Sequence, residues 1–192
     1  MSDRGILFVV SAPSGGGKRS ILHRVMEDDP KLVYSVSATT RSPRPDEVDG
    51  ESYRFIDTET FRQWIDEGRF VEWAEVHGQL YGTPKDGLFE RLEDGRDVVL
   101  ELDVQGMRLI RQVDEDAVTI FIVPPSFEVL EQRLRGRGDS EEDDIVVRLR
   151  NAKEEIAAKG EFDFVVVNDV LDRAVEQFKN IVEEQRKERG RI

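Results

Sequence analysis

The chain has 192 residues, of which 38% are hydrophobic, so it can fill one core and is short for two domains. Its 41 acidic and 28 basic residues give a net charge of −13, which argues against generic binding to nucleic acid or anionic membranes. Cysteine is absent, which excludes disulfides and thiolate sites. No apolar run approaches the roughly twenty residues that span a bilayer. Since the start, MSDRGIL, lacks a signal peptide's apolar core, we expect a cytoplasmic protein; the pattern predicts neither a monomer nor a dimer.

The first element is an apolar run, GILFVV (Gly5 to Val10), which predicts a buried parallel strand. It leads into a glycine-rich stretch, SAPSGGGKRS, and then into the helical pattern SILHRVM. A phosphate-binding loop needs this order, because glycines let backbone N–H groups point inward and a following lysine adds a mobile charge. We predict that the loop binds a nucleoside triphosphate through Ser11, Ala12, Pro13, Ser14, Gly15, Gly16, Gly17, Lys18, Arg19 and Ser20.

The loop departs from the consensus G-x-x-x-x-G-K-[ST] at two positions. Ala12 stands where the first glycine is usual, and Arg19 where the hydroxyl residue that touches magnesium is usual. Ser20, one residue further on, is the candidate replacement and therefore the candidate magnesium ligand, partly through water. The alternative is a plain Gly-Ser turn before a helix.

The second predicted strand, LVYSVS (Leu32 to Ser37), runs into a segment rich in turn residues that we expect to be a loop as far as Phe55. This segment carries side chains that can donate to a phosphate, and two arginines three residues apart favour a second anion site. The candidates are Ser37, Arg41, Arg44 and Tyr53. The alternative is a solvated loop.

The next elements are a helix over Thr58 to Glu67 and an alternating strand over Phe70 to Val76, which places Glu72 and Trp73 on opposite sides. HGQLYGTP predicts a glycine-rich turn with Tyr81 and Thr83 at its end. Pro84 is then expected to begin a helix that ends near Gly95.

A central strand is predicted over Asp97 to Asp103, with Glu101 and Asp103 on one face near its carboxyl end. Ligands of open α/β sheets bind beyond such ends. This acidic pair is therefore a candidate to order a magnesium shell or to accept hydrogen bonds from a base or a ribose. Asp103 also fits a helix cap, and the two roles are compatible.

The last third begins with a buried strand, Ala117 to Val123, and a helix capped by Ser126 that carries Arg133. The polar, arginine-bearing segment that follows predicts a lid; its alternative is a charged helical hairpin. A final strand over Phe162 to Val167 ends in Asn168, before a helix over Leu171 to Arg189. The alternation of strands and helices predicts a parallel sheet covered on both faces.

Seven segments in this order and spacing resemble guanylate kinase, a nucleoside monophosphate kinase of the P-loop family, from about Gly5 to Arg186: SAPSGGGK, SVSATTRSPRPDEVDGESYRF, FVEWAEVHGQLYGTP, LELDVQG, IFIVPPS, RLRGRG and VVVND. The resemblance implies a P-loop NTPase-like, three-layer α/β/α fold with a central parallel sheet, a small mixed GMP-binding insertion and a helical lid. It implies one domain over 1–192, with a core at about 4–32, 97–125 and 160–192, a GMP-binding lobe at about 35–90 and a lid at about 133–157.

The implied reaction is transfer of the γ-phosphate of ATP to GMP or dGMP, giving ADP and GDP, with Mg²⁺. By the same resemblance, the GMP phosphate contacts Ser37, Arg41, Arg44, Tyr53 and Tyr81, the guanine contacts Glu72 and Thr83, Glu101 and Asp103 lie near the metal and GMP, and Asn168 lies near the adenine. The implied catalytic cations are Lys18, Arg41, Arg133, Arg137 and Arg148. Arg19 motivates one alternative, a non-catalytic guanylate-kinase-like module that binds a phosphorylated partner.

Overall fold

The computed structural model describes residues 4–76, 78–136 and 142–191. Its strands are β1 (Leu7–Ser11), β2 (Leu32–Tyr34), β3 (Ala38–Thr39), β4 (Arg54–Phe55), β5 (Phe70–Val76), β6 (Gln79–Pro84), β7 (Asp97–Glu101), β8 (Val118–Val123) and β9 (Phe164–Val167). Its helices are α1 (Lys18–Asp28), α2 (Thr58–Asp66), α3 (Leu88–Glu93), α4 (Val104–Val113), α5 (Phe127–Arg135), α6 (Glu142–Ala157) and α7 (Leu171–Glu188), with a 3-10 turn at Ala158–Glu161.

The central sheet has five strands in the order β2-β7-β1-β8-β9. The pairings of β1 with β8, β2 with β7 and β8 with β9 are parallel. Every residue of β1 and β8 is buried, as expected for strands covered on both faces. The predicted parallel α/β sheet is therefore confirmed, with helices flanking it.

A second, mixed sheet has the order β4-β3-β6-β5. In it β6 is antiparallel to both β3 and β5, whereas β3 and β4 are parallel. Its core contains Ala38, Phe61 and Phe70, and the two phenylalanine rings stack with centroids 4.4 Å apart. The segment from Ala38 to Phe55, predicted to be a loop, thus contributes two short strands to this sheet.

The predicted glycine-rich turn over HGQLYGTP is wrong, because Gln79–Pro84 is strand β6. Gly82 does not mark a turn: a Cβ atom there would lie 2.7 Å from the Phe70 ring, so glycine is needed for close packing. The positive φ of 75° that reverses the chain belongs to Gly78. Pro84 likewise ends β6 and does not begin a helix, since α3 begins at Leu88 after Gly87.

The expectation that Glu101 and Asp103 share a strand face is also wrong. Strand β7 ends at Glu101, and Asp103 is the N-cap of α4, where its Oδ1 accepts a hydrogen bond of 2.7 Å from the Gly106 backbone N–H. An unpaired N–H at a helix start is a stronger local requirement than continuation of the strand. The predicted cap is therefore confirmed.

The helices near the carboxyl end follow the sequence pattern closely. Ser126 caps α5 by accepting from the Val129 N–H, and α7 buries Ala174, Phe178 and Ile181. A small core of Leu130, Leu134 and Ala152 joins α5 and α6. Within the described ranges, none of the helices combines the length and the apolar character that a bilayer crossing would require.

The chain divides into two compact units. One consists mainly of Phe8–Lys31 and the residues from Val118 onward, and it includes α1, α5, α6 and α7. The other consists mainly of Leu32–Ala117, and it includes the whole mixed sheet. Each unit carries its own group of predicted site residues.

Candidate active site

The loop between β1 and α1 has the backbone that a phosphate-binding loop needs. Gly15 and Gly17 adopt φ angles of 85° and 87°, which side chains disfavour, and the Gly16 N–H donates to the Pro13 carbonyl at 2.8 Å. A Cβ atom on Gly17 would lie 2.1 Å from Nδ2 of Asn168. The glycines are therefore required both by conformation and by the close approach of a neighbouring strand end.

Asn168, directly after β9, is hydrogen-bonded to this loop. Its side chain is buried, and Nδ2 donates to the Gly16 carbonyl at 2.8 Å, while its own N–H donates to the Val123 carbonyl at 2.7 Å. The predicted place of Asn168 near the adenine stays a prediction. The observed bonds give this residue a second task that its position after β9 did not reveal, namely support of the loop backbone.

Arg133 on α5 also contacts Asn168. Its Nη2 donates to the Asn168 carbonyl oxygen at 3.0 Å, whereas its buried Nη1 has no hydrogen-bond partner within the described residues. A buried donor without an acceptor is costly, and an anion beside it would remove that cost. Since a Cβ on Gly17 would lie 3.9 Å from this Nη1, the guanidinium is next to the phosphate loop.

The first turn of α1 holds the three polar residues that end the motif. Lys18 is half-buried, and Arg19 and Ser20 are exposed. Arg19 therefore occupies an exposed position of the helix, directly after glycines that have the φ angles of a phosphate-binding loop.

Two further predicted cations belong to the helical segment after β8. Arg148 lies on α6 and is half-buried, and Arg137 falls outside the described residues. Arg135, which is not among the predicted catalytic cations, forms ion pairs with Glu131 and Glu142, so it links α5 to the start of α6.

The second group of site residues surrounds Arg41 in the unit with the mixed sheet. Arg41 Nη2 lies 2.8 and 2.9 Å from the two carboxylate oxygens of Glu47, and Nη1 donates to the Ser42 carbonyl at 2.7 Å. Its guanidinium carbon lies 5.6 Å from the centroid of the Tyr53 ring. The Tyr53 and Tyr81 rings meet edge to face with centroids 6.0 Å apart. Three predicted phosphate ligands are therefore in one cluster.

The other predicted phosphate ligands flank this cluster. Ser37 is half-buried immediately before β3, and its carbonyl accepts from the Arg54 N–H at 2.8 Å. The Arg44 side chain is exposed, while its backbone N–H donates to Glu47 at 2.8 Å. Sequence reasoning missed Glu47, although an acidic residue three places after one predicted phosphate arginine and six after the other was a usable signal.

The ionisation of Arg41 and Glu47 follows from their pairing. Burial alone would raise the pKa of the Glu47 carboxyl, but hydrogen bonds from the Arg44 backbone and the Arg41 side chain outweigh it and hold the pKa below its ordinary value. Burial alone would lower the pKa of Arg41, and the contacts with Glu47 and Tyr81 reverse that effect. Both groups are therefore charged at neutral pH.

Glu72 is a buried carboxylate of the mixed sheet. It is 7% exposed and lies opposite Thr83 in the β5–β6 ladder, and the buried Thr83 hydroxyl donates to its Oε1 at 2.6 Å. Burial raises the pKa of Glu72, the Thr83 hydrogen bonds act against that, and the charge of Asp103 adds to the increase. Glu101, at the end of β7, is half-buried. A carboxylate in this setting favours a ligand that brings its own N–H donors.

Strand β6 connects these features. Tyr81 and Thr83 are two residues apart on it, so they share a face of the strand, with Tyr81 at the arginine cluster and Thr83 at Glu72. Within the described ranges, no group of three or more His, Cys, Asp or Glu side chains could hold a metal ion.

Comparisons with known proteins agree on one family. A family model described as guanylate kinase matches residues 4–185. Guanylate kinase of Rubrobacter xylanophilus is 50% identical over 179 residues, covering 93% of this chain and 94% of that protein. Guanylate kinase of Maricaulis maris is 47% identical over 189 residues, covering 98% and 87%. The crystal structure of guanylate kinase from Anaplasma phagocytophilum superposes with a TM-score of 0.80 at 32% identity, covering 95% of this chain and 86% of that one.

Proposed function

This chain belongs to the guanylate kinase family, and from that premise we propose how its residues divide the work of phosphoryl transfer. The protein is an ATP:GMP phosphotransferase, which moves the γ-phosphate of ATP to GMP and yields ADP and GDP. The comparisons give no support to the non-catalytic module that Arg19 suggested. We extend the acceptor to dGMP, since none of the proposed contacts requires the ribose 2′-hydroxyl.

The mixed sheet is proposed to bind GMP, and the arrangement on β6 is the observation that carries this assignment. Arg41, Tyr53 and Tyr81 would hold the phosphate, with Ser37 and Arg44 adding donors at its edge. Glu72 and Thr83 would contact the guanine, whose N1–H and exocyclic amine supply donors to the carboxylate. Adenine has no such pair and would leave the buried Glu72 unsatisfied, which gives discrimination a physical basis.

The glycine loop is proposed to bind the phosphates of ATP. Its inward-facing backbone and the start of α1 favour anions, and Lys18 would bridge the terminal phosphates. Asn168 would contact the adenine region while holding Gly16. Glu101 and Asp103 would lie near the metal and GMP.

The catalytic contribution of the chain is proposed to be positioning and positive charge. Phosphoryl transfer passes through a loose transition state with charge on the peripheral oxygens, so no protein nucleophile is needed. Lys18 and Arg133 would stabilise that charge, together with Arg41, Arg137 and Arg148. The buried Nη1 of Arg133, which lacks a partner within the described residues, supports this role.

Magnesium fits this donor set, with Ser20 as the proposed protein ligand, partly through water. A hydroxyl oxygen is a hard ligand, and Mg²⁺ usually combines few protein ligands with substrate phosphates and water. Ser20 is exposed in the first turn of α1, so its hydroxyl would be accessible to such an ion. When bound, the ion neutralises charge on the phosphates being transferred.

Three broader expectations also belong to this proposal. The division into core, GMP-binding lobe (about 35–90) and lid (about 133–157) stays a prediction. The net charge of −13 supports the expectation that neither nucleic acid nor a membrane is a partner. A cytoplasmic location agrees with the absence of cysteine.

Release of ADP in a coupled assay tests the proposed function. With Mg²⁺ and ATP, GMP should drive turnover, and kcat/KM for AMP should be about 10⁴-fold lower, because AMP leaves buried polar groups unpaired. Equal rates with GMP and AMP would refute the proposed role of Glu72 and Thr83. The absence of GMP-dependent turnover would refute the activity itself.

A further inference from the structure

Glu47 connects the two arginines that are proposed to bind the GMP phosphate. One carboxylate accepts from Nη2 of Arg41 with both oxygens, at 2.8 and 2.9 Å, and from the backbone N–H of Arg44 at 2.8 Å. Of the proposed GMP-phosphate ligands, Arg41 and Arg44 are the two that form these bonds with Glu47. The same residue therefore fixes the side chain of one arginine and the main chain of the other.

The Arg44 contact closes a tight turn. The Glu47 N–H donates to the Arg44 carbonyl at 3.1 Å, and the Glu47 side chain returns to the Arg44 N–H. Pro45 occupies the second position of this turn, where its fixed φ angle is favoured. Backbone and side chain of Glu47 thus hold Arg44 from both sides.

The Arg41 contact is shielded from solvent, which makes it stronger than an ordinary surface ion pair. The side chain of Glu47 is 4% exposed and that of Arg41 is 20% exposed. The Tyr53 and Phe55 rings lie under the guanidinium, with its carbon 5.6 and 5.8 Å from their centroids. The guanidinium is therefore held against two aromatic rings with little freedom to turn.

Arg41 can hold Glu47 and a phosphate together. A guanidinium has more N–H donors than the contacts with Glu47, Ser42 and Tyr81 occupy, and it stays positively charged. An arginine without a fixed partner would lose side-chain freedom when it bound the phosphate, and that loss would weaken binding. Holding the group in place beforehand removes this cost.

We propose that Glu47 is a positioning residue for the GMP phosphate, which orients Arg41 and Arg44 before the nucleotide binds. This inference rests on the proposed function, because it acts through the phosphate contact assigned to Arg41. The opposite role would make Glu47 a counter-ion that GMP must displace from Arg41. The two roles differ in sign: loss of a positioning group weakens GMP binding, and loss of a competitor strengthens it.

Steady-state kinetics of Glu47→Gln, with each substrate varied, separate these roles. We expect the KM for GMP to rise about tenfold, the scale of one charge-assisted hydrogen bond, while the KM for ATP and kcat change little. Glu51→Gln is the matched control, because Glu51 is exposed in the same loop, and it should behave as wild type. An unchanged or lower KM for GMP in Glu47→Gln would overturn the proposal.

A second variant separates position from charge. Glu47→Asp keeps the negative charge but is one methylene shorter, so it should fail to reach both partners and should also raise the KM for GMP. If Glu47→Asp matched the wild type while Glu47→Gln did not, charge alone would matter and positioning would be refuted. Melting temperatures of both variants show whether they are folded.

A double-mutant cycle with Arg41→Met tests whether Glu47 acts through Arg41. Arg41→Met alone should raise the KM for GMP, and adding Glu47→Gln should then raise it no further, apart from any contribution through Arg44. A full tenfold rise in both backgrounds would refute positioning through Arg41 while leaving the phosphate role of Arg41 intact. If Arg41→Met itself left the KM for GMP unchanged, the proposed GMP site would fail first.

Discussion

The buried charge of Glu72 is proposed to strengthen GMP binding, but it lowers the stability of the folded protein. A carboxyl with a higher pKa in the folded than in the unfolded chain binds its proton more tightly when folded, so stability rises as the pH falls through that folded pKa and is lower at neutral pH. Under the proposed function the buried ionised form recognises guanine, and that same ionised form lowers the stability of the fold at neutral pH. This trade is common for binding sites.

The change Glu72→Gln should therefore separate the two properties. At pH 7 the variant should melt at the same or a higher temperature, because the amide carries no charge to desolvate and can still accept from the Thr83 hydroxyl. Its kcat/KM for GMP should fall by about two orders of magnitude, since the amide cannot accept both guanine donors. Glu75→Gln, at an exposed position of the same strand, is the control. A clearly lower melting temperature would contradict this account.

The same residue predicts a pH dependence. As the pH falls through the raised pKa of Glu72, the carboxylate is lost, and kcat/KM for GMP should decline at a pH above the ordinary glutamate value of 4.5. The acid limb should be missing from the profile of Glu72→Gln. A wild-type profile that stays flat down to pH 4.5 would show that the ionised form is not needed.

Asn168 gives a third residue-scale prediction. Asn168→Ala removes the donor to Gly16 and leaves the loop less constrained, so the KM for ATP should rise several-fold and stability should fall by about 1 to 2 kcal/mol. The KM for GMP should stay near the wild-type value. Asn180→Ala, at an exposed position of α7, is the control for the substitution itself. A change in the KM for GMP equal to that for ATP would argue against a local effect on the loop.

At the scale of elements, the sequence predicts a strand or a helix cap correctly where the defining pattern lies within a few consecutive residues. The strand Phe70–Val76 was predicted with its observed bounds, because alternation of buried and exposed positions is complete within the element. The caps at Ser126 and Asp103 were also predicted, since a cap is decided by the next few residues.

Strand β6 could not be predicted in the same way. Its residues, QLYGTP, have the composition of a turn, and what makes them a strand is pairing with β3 on one side and β5 on the other. The site shows the same limit. The arginines and tyrosines proposed for the phosphate were named from the sequence, and Glu47, six residues after Arg41, left a local signal. The bond from Asn168 to Gly16 left none, because it joins residues 152 positions apart in the chain.

The fit of β6 against the aromatic core can be tested at Gly82. A Cβ atom there would lie 2.7 Å from the Phe70 ring and 3.1 Å from the Phe61 ring. Gly82→Ala should therefore destabilise the protein by about 1 to 3 kcal/mol through overpacking, measured by chemical denaturation. Gly160→Ala has open space around its Cβ and serves as the control. Equal stability of the two variants would mean that β6 is not closely packed against the Phe70 ring.

At the scale of the whole molecule, an acidic protein must attract two anionic nucleotides. The net charge of −13 repels them at long range, so binding depends on local cations and inward-facing N–H groups. These cations and N–H groups form two groups, the glycine loop with Lys18 and the mixed sheet with Arg41. We propose that the two groups bind the two nucleotides at the same time.

The most direct test uses a dinucleotide in which adenosine and guanosine are joined by a polyphosphate chain, with binding measured by calorimetry in the presence of Mg²⁺. Because the second end binds within the complex formed by the first, the dinucleotide should bind at least about 100-fold more tightly than ATP or GMP. Lys18→Met and Arg41→Met should each weaken this binding. Affinity no greater than that of ATP, unaffected by Arg41→Met, would contradict the claim.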